Sequence, residues 1–141
     1  LHAYPNHRGD FIENLRLCYN MGAVPQSKGF LSDKIYSALD YLKTTYTKRI
    51  LIGSDIPCIS KHDINQSISY LKKHDLVIGP SKDGGFYLVG VKNVGHQIFK
   101  FMRQNKILSS DLIKICINQD ISYKLLRTLN DVDEPEDLLC I

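Results

Sequence analysis

The sequence predicts an α/β fold in which short buried strands alternate with longer amphipathic helices. Apolar runs such as residues 49–54 are short and nearly continuous, which is typical of strands buried on both faces. Longer stretches such as 32–42 repeat their apolar residues at helical spacing. The composition, with 43% hydrophobic residues and 18 basic against 15 acidic side chains, is that of one soluble domain. We expect a single domain over residues 1–141, with a parallel sheet joined by crossover helices.

The first half of the chain predicts two strands and two helices. A strand is expected over residues 1–4. A helix follows over 10–21, because its apolar residues recur at helical spacing before Gly22 ends the pattern. Ser32 is a candidate N-cap for the second helix, whose apolar residues share one side. The run 49–54 (RILIGS) then gives the clearest buried strand.

The second half of the chain continues the alternation. Ser60 is the expected N-cap of a third helix, with Ile64, Ile68 and Leu71 on its inner face. The remaining predicted elements are strands over 76–78, 86–91 and 123–129, and helices over 97–104, 110–117 and 135–139.

Charge and hydropathy exclude several classes of protein. A net charge of +3, dispersed along the chain, does not form the basic face that binding to a nucleic-acid backbone requires. No apolar run approaches the roughly 18 residues that span a bilayer, and the first residues lack the pattern of a secretion signal. We therefore expect a cytoplasmic protein without nucleic-acid or membrane partners.

The cysteines and histidines do not have the spacing of a metal centre, which disfavours zinc. Each cysteine lies among apolar neighbours and is expected to be a small buried side chain. The histidines are expected at the surface or in turns. The residues concerned are Cys18, Cys58, Cys116 and Cys140, and His2, His7, His62, His74 and His96.

Two glycine-containing loops follow predicted strands, where ligands of open α/β sheets gather. The strand 49–54 ends in Gly53 and Ser54. It is followed by Asp55, a carboxylate at the mouth of the crevice, and by Pro57. After the strand 76–78 comes GPSKDGG, with three glycines, a lysine and a carboxylate. Each loop also has an alternative interpretation without a ligand. In that alternative Asp55 is a turn carboxylate bonded to its own backbone, and residues 83–85 form a tight turn into the next strand.

Three motifs occur in order: LIGSDIP, then GPSKDGGFYLVG, and near the end DVDEPEDL. Together they closely resemble a bacterial family of glycosyltransferase-like proteins, the selenodomain-associated transferases, a domain of unknown function in the nucleotide-diphospho-sugar transferase superfamily. Upstream, the segment QSKGFLSDK, which begins at Gln26, resembles that family's Gln-x-x-Gly-x-Leu-Gly-Glu-Arg, with Ser32, Asp33 and Lys34 as departures. The resemblance covers essentially the whole chain.

The resemblance implies a three-layer α/β/α sheet of the glycosyltransferase-A type that binds a nucleotide diphosphate through Mg²⁺ or Mn²⁺. A carboxylate at a strand end suits this role, because hard cations prefer oxygen ligands. For the ending DVDEPEDL the alternative is a helix cap, with Asp133 as N-cap and Pro135 in the first turn. The site residues implied are Asp55 and Asp83 as catalytic groups, Asp55 and Asp131 as metal ligands, and Gln26, Gly53, Ser54, Lys82, Gly84 and Gly85 as substrate-binding residues.

Two departures from the family bear on activity. The family has a tryptophan before its late helix, whereas this chain has Leu108-Ser109-Ser110-Asp111 and no tryptophan. Relatives also begin with a strand, a basic glycine-containing loop and a helix that hold the nucleotide, and this chain starts at what resembles their second or third strand. We therefore expect the sheet to be incomplete at its N-terminal side, and residues 1–141 alone to self-associate without measurable transfer.

The leading functional hypothesis is a metal-dependent transferase that uses a nucleotide-activated sugar donor. A nucleotidyltransferase of the same superfamily is the nearest alternative, because both reactions displace a group beside a metal-bound diphosphate. An alternative from another class is a catalytically inactive remnant that acts as a binding or interaction module. The expected ligand is in each enzymatic case a nucleotide or a nucleotide sugar.

Overall fold

The computed structural model describes residues 2–3, 9–93, 95–100, 102–132 and 137. The predicted helix over 135–139, except for Asp137, and the candidate cap Asp133 lie outside the described residues. In chain order the elements are β1 (His2–Ala3), α1 (Asp10–Tyr19), β2 (Val24–Pro25), α2 (Leu31–Tyr41), β3 (Lys48–Ile52), α3 (Lys61–Tyr70), β4 (Leu76–Pro80), β5 (Phe86–Lys92), a 3₁₀ helix (Gly95–Phe99), α4 (Ser109–Asn118) and β6 (Tyr123–Leu125).

The main sheet has the strand order β3-β5-β4-β6, and β1 and β2 form a separate parallel pair. β5 runs antiparallel to both β3 and β4, whereas β6 is parallel to β4. The sheet is therefore mixed, and the expectation of a wholly parallel sheet was wrong. The reason is the short connection 81–85 between β4 and β5: it permits a hairpin, while a parallel connection needs a crossover of a dozen or more residues.

Helices cover both faces of this sheet, as expected for three α/β/α layers. On one face Leu76, Ile78 and Val89 pack in a buried cluster with residues of α2 and α4. On the other face Val77 and Leu88 belong to a second cluster. The alternation of Leu76, Val77 and Ile78 between the clusters follows from the two-residue period of a strand, and it fills both faces of β4 with apolar side chains.

Burial on both faces is confirmed for β4 and wrong for β3. Leu76, Val77 and Ile78 have no exposed surface, whereas Ile52 is 40% exposed and Leu51 is only partly buried. The difference arises because β3 is at the edge of the main sheet, where within the described residues only β5 pairs with it. In α3, Ile68 is likewise exposed rather than on the inner face.

Local backbone geometry corrects two predicted helix ends. The first helix ends before Gly22, because Asn20 adopts a left-handed conformation with φ of 50°. The predicted helix 97–104 is only the 3₁₀ turn Gly95–Phe99, and Arg103 has φ of 48°, which does not continue a helix.

The start of α2 differs from the predicted cap. The helix begins at Leu31, and the Asp33 carboxylate accepts the Phe30 N–H at 2.9 Å. Ser32 is buried, and its hydroxyl accepts the backbone N–H of Gln104 at 3.1 Å. Ser32 therefore tethers a distant loop instead of capping its own helix.

The predicted cap of α3 is confirmed, because the Ser60 hydroxyl accepts the Asp63 N–H. Among the cysteines Cys116 is buried as expected, but Cys18 and Cys58 are exposed. No helix in the described part of the chain is long and apolar enough to cross a membrane.

Candidate functional site

A groove of about 980 Å³ runs along β3 and α2 to the edge where β3 and β4 end. β3 and β4 both run antiparallel to β5, so they are parallel to each other and their carboxyl ends meet at this edge. The groove thus occupies the crevice where ligands of α/β sheets bind. The predicted site residues that line it are Gln26, Gly53, Ser54, Asp83, Gly85 and Asp131.

Three predicted site residues are not in the groove lining. Asp55 is exposed and follows the lining residues Gly53 and Ser54 by one position. Lys82 is exposed, and its backbone N–H donates to the Leu129 carbonyl at 3.0 Å. Gly84 adopts φ of +91°, which a residue with a side chain rarely does, so its observed role is to turn the chain.

The turn after β3 explains why glycine stands at position 53. The Gly53 N–H donates to the Tyr87 carbonyl at 2.8 Å and so extends the β3–β5 ladder. A Cβ at this position would lie 2.7 Å from Oδ1 of Asp55, which is closer than a Cβ approaches a non-bonded atom in proteins. A side chain here would therefore displace the Asp55 carboxylate.

Asp55 and Asp131 come from segments that are joined by a backbone hydrogen bond. The Val132 N–H donates to the Asp55 carbonyl at 3.0 Å, and Asp131 directly precedes Val132. Asp131 lines the groove and makes a further interaction within the fold. The carboxylates following β3 and β6 thus lie on adjacent loops although they are 76 positions apart.

Asp83 lies in the hairpin turn between β4 and β5. Its Oδ1 accepts the Ser81 hydroxyl at 2.5 Å and the Gly85 N–H at 2.7 Å. The hydrogen bond from Ser81 is the main reason that the pKa of Asp83 is lowered, and the charge of nearby Lys106 lowers it further. Both sequence alternatives are thus compatible with the geometry, because Asp83 stabilises its own turn and lines the groove.

The sequence motifs do not indicate the basic side chains in the groove. Lys34, Arg49 and Lys106 line it together with the carboxylates. Lys34 departs from the family pattern of its segment, and Lys106 belongs to no motif. Because Lys106 is 23 positions from Asp83 in the chain, only the fold brings the two charges together.

Arg49 belongs to a buried polar network at the other end of β3. Its Nη2 donates to the Asn93 carbonyl and lies 3.2 Å from Nδ1 of His96. Nε2 of His96 lies 2.9 Å from Oδ1 of Asp40. His96 has no exposed surface. The prediction of an unpaired histidine at the surface or in a turn was therefore wrong. Burial lowers the pKa of Arg49.

The donor atoms of the site suit a hard cation that is shared with a substrate. Within the residues that the structure describes, no three His, Cys, Asp or Glu side chains are grouped to hold a metal by themselves. Mg²⁺ is usually held by one or two carboxylates together with substrate phosphates, so a full protein cage is unnecessary. Asp55 and Asp131, whose loops are joined by a backbone hydrogen bond, are the residues that could hold such an ion.

Sequence relatives and a solved structure indicate the kinship of the chain. A 2-phospho-L-lactate guanylyltransferase from Methanocaldococcus vulcanius is 30% identical over 94 residues, which is 63% of this chain and 41% of the relative. The enzyme of the same name from Methanopyrus kandleri is 30% identical over 122 residues, which is 83% of this chain and 60% of the relative. The chain therefore spans about half the length of these relatives.

A crystal structure of a protein described as a nucleotide-diphospho-sugar transferase, from Desulfovibrio desulfuricans, superposes with a TM-score of 0.76 at 23% identity. The match covers 89% of this chain and 57% of that one, and it confirms the glycosyltransferase-A-like fold. The pattern of DUF2064, a family described as uncharacterized protein conserved in bacteria, matches residues 3–106. This match spans most of the chain, and the chain belongs to the DUF2064 family.

Proposed function

We propose that the chain carries the carboxylate side of the active site of a metal-dependent transferase that acts on a nucleotide. The single observation that supports this most is the groove at the ends of β3 and β4, which brings Asp83 and Asp131 beside Gly53 and Ser54. The proposed reaction is nucleotidyl transfer, which the guanylyltransferase relatives favour. Sugar transfer is the second candidate, because the superposed structure is described as a nucleotide-diphospho-sugar transferase.

Asp55 and Asp131 are the proposed ligands for Mg²⁺ or Mn²⁺. Such an ion supplies positive charge that neutralises a diphosphate leaving group. The exposed Lys106 is placed to attract phosphate oxygens at the same groove. Ser54 offers a hydroxyl that can donate to a phosphate, and Gln26 an amide for the base or the sugar.

Asp83 is proposed to orient the acceptor. The carboxylate is ionised at neutral pH, as an ordinary aspartate is, so it can accept a hydrogen bond from an acceptor hydroxyl. Because Oδ1 already accepts bonds from Ser81 and Gly85, the orientation of the carboxylate is set before a ligand arrives. Pre-organised orientation of this kind raises the rate of group transfer.

The two candidate reactions release different products. In nucleotidyl transfer, an acceptor oxygen attacks the α-phosphorus of a nucleoside triphosphate, the bond to the bridging oxygen breaks, and pyrophosphate leaves. In sugar transfer, the acceptor oxygen attacks the anomeric carbon of a nucleotide sugar, and the nucleoside diphosphate leaves. Incubation of the chain with GTP or with UDP-, GDP- and ADP-sugars, followed by analysis of the pyrophosphate or the nucleoside diphosphate released, distinguishes them.

Binding is tested by calorimetry with GTP and Mn²⁺. We expect Asp55→Asn and Asp131→Asn to weaken Mn²⁺-dependent binding strongly, and Asp83→Asn to weaken binding without removing its metal dependence. The matched control is Asp120→Asn, because Asp120 is exposed and has φ of 52°, which asparagine also adopts. Equal affinity of the wild type and Asp131→Asn would refute the metal role of this residue.

A further inference from the structure

The segment that carries Asp131 is held by backbone hydrogen bonds although it contains no regular strand. The Leu126 N–H donates to the Ile78 carbonyl at 2.9 Å, and the Leu129 N–H donates to the Pro80 carbonyl at 3.1 Å. Residues 126–132 therefore run along the end of β4 as far as the bond between Val132 and Asp55.

Arg127 anchors the middle of this segment to the neighbouring loop. Its Nε donates to Oδ1 of Asp63 at 2.7 Å, and its Nη2 donates to Oδ2 of Asp63 at 2.9 Å. The same Nη2 donates to the Cys58 carbonyl at 3.2 Å. The carbonyl of Arg127 in turn accepts the hydroxyl of the buried Tyr87 at 3.1 Å. Side chain and backbone of Arg127 are thus both fixed.

Asp63 lies at the start of α3 and has no exposed surface. Its Oδ2 also accepts the Ser60 N–H at 2.9 Å and the Ser60 hydroxyl at 2.7 Å. The bidentate bond from Arg127 is the main reason that the pKa of Asp63 is lowered. Asp63 therefore ties Arg127 to the end of the loop that begins at Gly53 and contains Asp55.

We propose that Arg127 is a positioning residue, which acts through Asp63 to hold the loops of Asp55 and Asp131 at the separation that a shared cation requires. This inference rests on the proposed function. The two loops are far apart in the chain. They are joined by the Val132–Asp55 bond and by Arg127, which binds Asp63 at the start of α3 and the Cys58 carbonyl in the Asp55 loop. A lysine cannot replace this function, because only the planar guanidinium donates to both carboxylate oxygens at once.

The main test is a Mn²⁺ titration of GTP binding to the full chain and to Arg127→Lys. We expect the Mn²⁺ concentration for half-maximal binding to rise about tenfold or more, as for residues that orient metal ligands, while GTP affinity at saturating Mn²⁺ changes little. A variant that merely unfolds would lower the number of sites and leave the metal midpoint unchanged. The same midpoint in Arg127→Lys and the wild type would overturn the proposal.

The matched control is Arg16→Lys. Arg16 makes an equivalent two-point ion pair with Glu13, at 3.0 and 2.7 Å, on the exposed surface of α1. This pair bridges residues of one helix and no two loops, so we expect the metal midpoint to stay at the wild-type value.

Hydrogen exchange separates this inference from the proposed function. In Arg127→Lys we expect faster exchange of the Val132 amide, which donates to Asp55, and unchanged exchange of the Ile121 amide, which donates to Cys116. If the wild type binds no nucleotide with Mn²⁺, the proposed function fails, and Val132 exchange still decides whether Arg127 positions the loop. Unchanged Val132 exchange would overturn that positioning role.

Discussion

Replacement of Asp63 by asparagine should destabilise the fold by about 2 to 3 kcal/mol. Asp63 is fully buried and accepts four hydrogen bonds, two from Arg127 and two from Ser60. Asparagine has the shape of aspartate, but an NH₂ group replaces one of the two acceptor oxygens. This NH₂ group would face the N–H or O–H donors of Arg127 or Ser60. Hydrogen bonds to a charged group contribute about 1.5 to 3 kcal/mol, and breaking a buried ion pair costs about 3 to 5 kcal/mol.

The expected value is at the lower end of this span, because the Arg127 side chain is 54% exposed and can be solvated by water once its partner is neutral. Urea unfolding followed by circular dichroism measures the loss, and for a chain of this size it corresponds to a fall in Tm of about 10 °C. Glu13→Gln is the control, since that carboxylate makes an exposed pair with Arg16, and its Tm should not change measurably. Equal stability of wild type and Asp63→Asn would refute the reasoning.

The pH dependence provides a second check of the same pair. Because Arg127 lowers the pKa of Asp63 in the folded state, the stabilisation is present above the pKa of the unfolded state, which is about 3.9. It is lost as the pH falls from there through the folded pKa. The difference in unfolding free energy between wild type and Asp63→Asn should be constant near neutral pH and narrow only below about pH 4. A difference that narrows near neutral pH would contradict this assignment.

Other consequences of the fold can be measured on the same protein. Ile78→Ala, in the centre of the sheet, should cost about 2 to 5 kcal/mol in urea unfolding, and Ile52→Ala, at the exposed end of β3, clearly less; equal losses would contradict the edge position of β3. Gly79→Ala should destabilise by about 1 to 3 kcal/mol, because the new Cβ would lie 2.5 Å from the ring of Tyr87; Gly22→Ala, with open space around it, is the control. Residues 1–141 should self-associate in light scattering, and Ile52→Lys should reduce this by placing a charge at the edge strand; a monomeric wild type would contradict the expectation.

The alternation of short and long apolar segments was sufficient to predict most elements of the fold. The burial of β4 and the N-cap Ser60 could be predicted from the sequence, because strand burial and helix capping depend on residues that are neighbours in the chain. The turns around residues 53–55 and 83–85 could be placed at strand ends for the same reason. The antiparallel direction of β5 was missed, although the short connection 81–85 already favoured a hairpin over a crossover.

The polar network around Arg49 and the Arg127–Asp63 pair that holds the Asp131 loop could not be predicted from the sequence. Arg49 meets a histidine 47 positions away, and Asp63 meets its arginine 64 positions away. Neither pair belongs to a motif with fixed spacing, so no local pattern indicates it.

The sequence by itself determined the α/β class, the positions of the candidate loops and, through three ordered motifs, the family. Only the tertiary structure decided which of the candidate side chains share one groove and which basic residues accompany them. The physical reason is that local patterns report the preferences of a few successive residues, whereas a binding site forms from strand ends and loops that packing brings together.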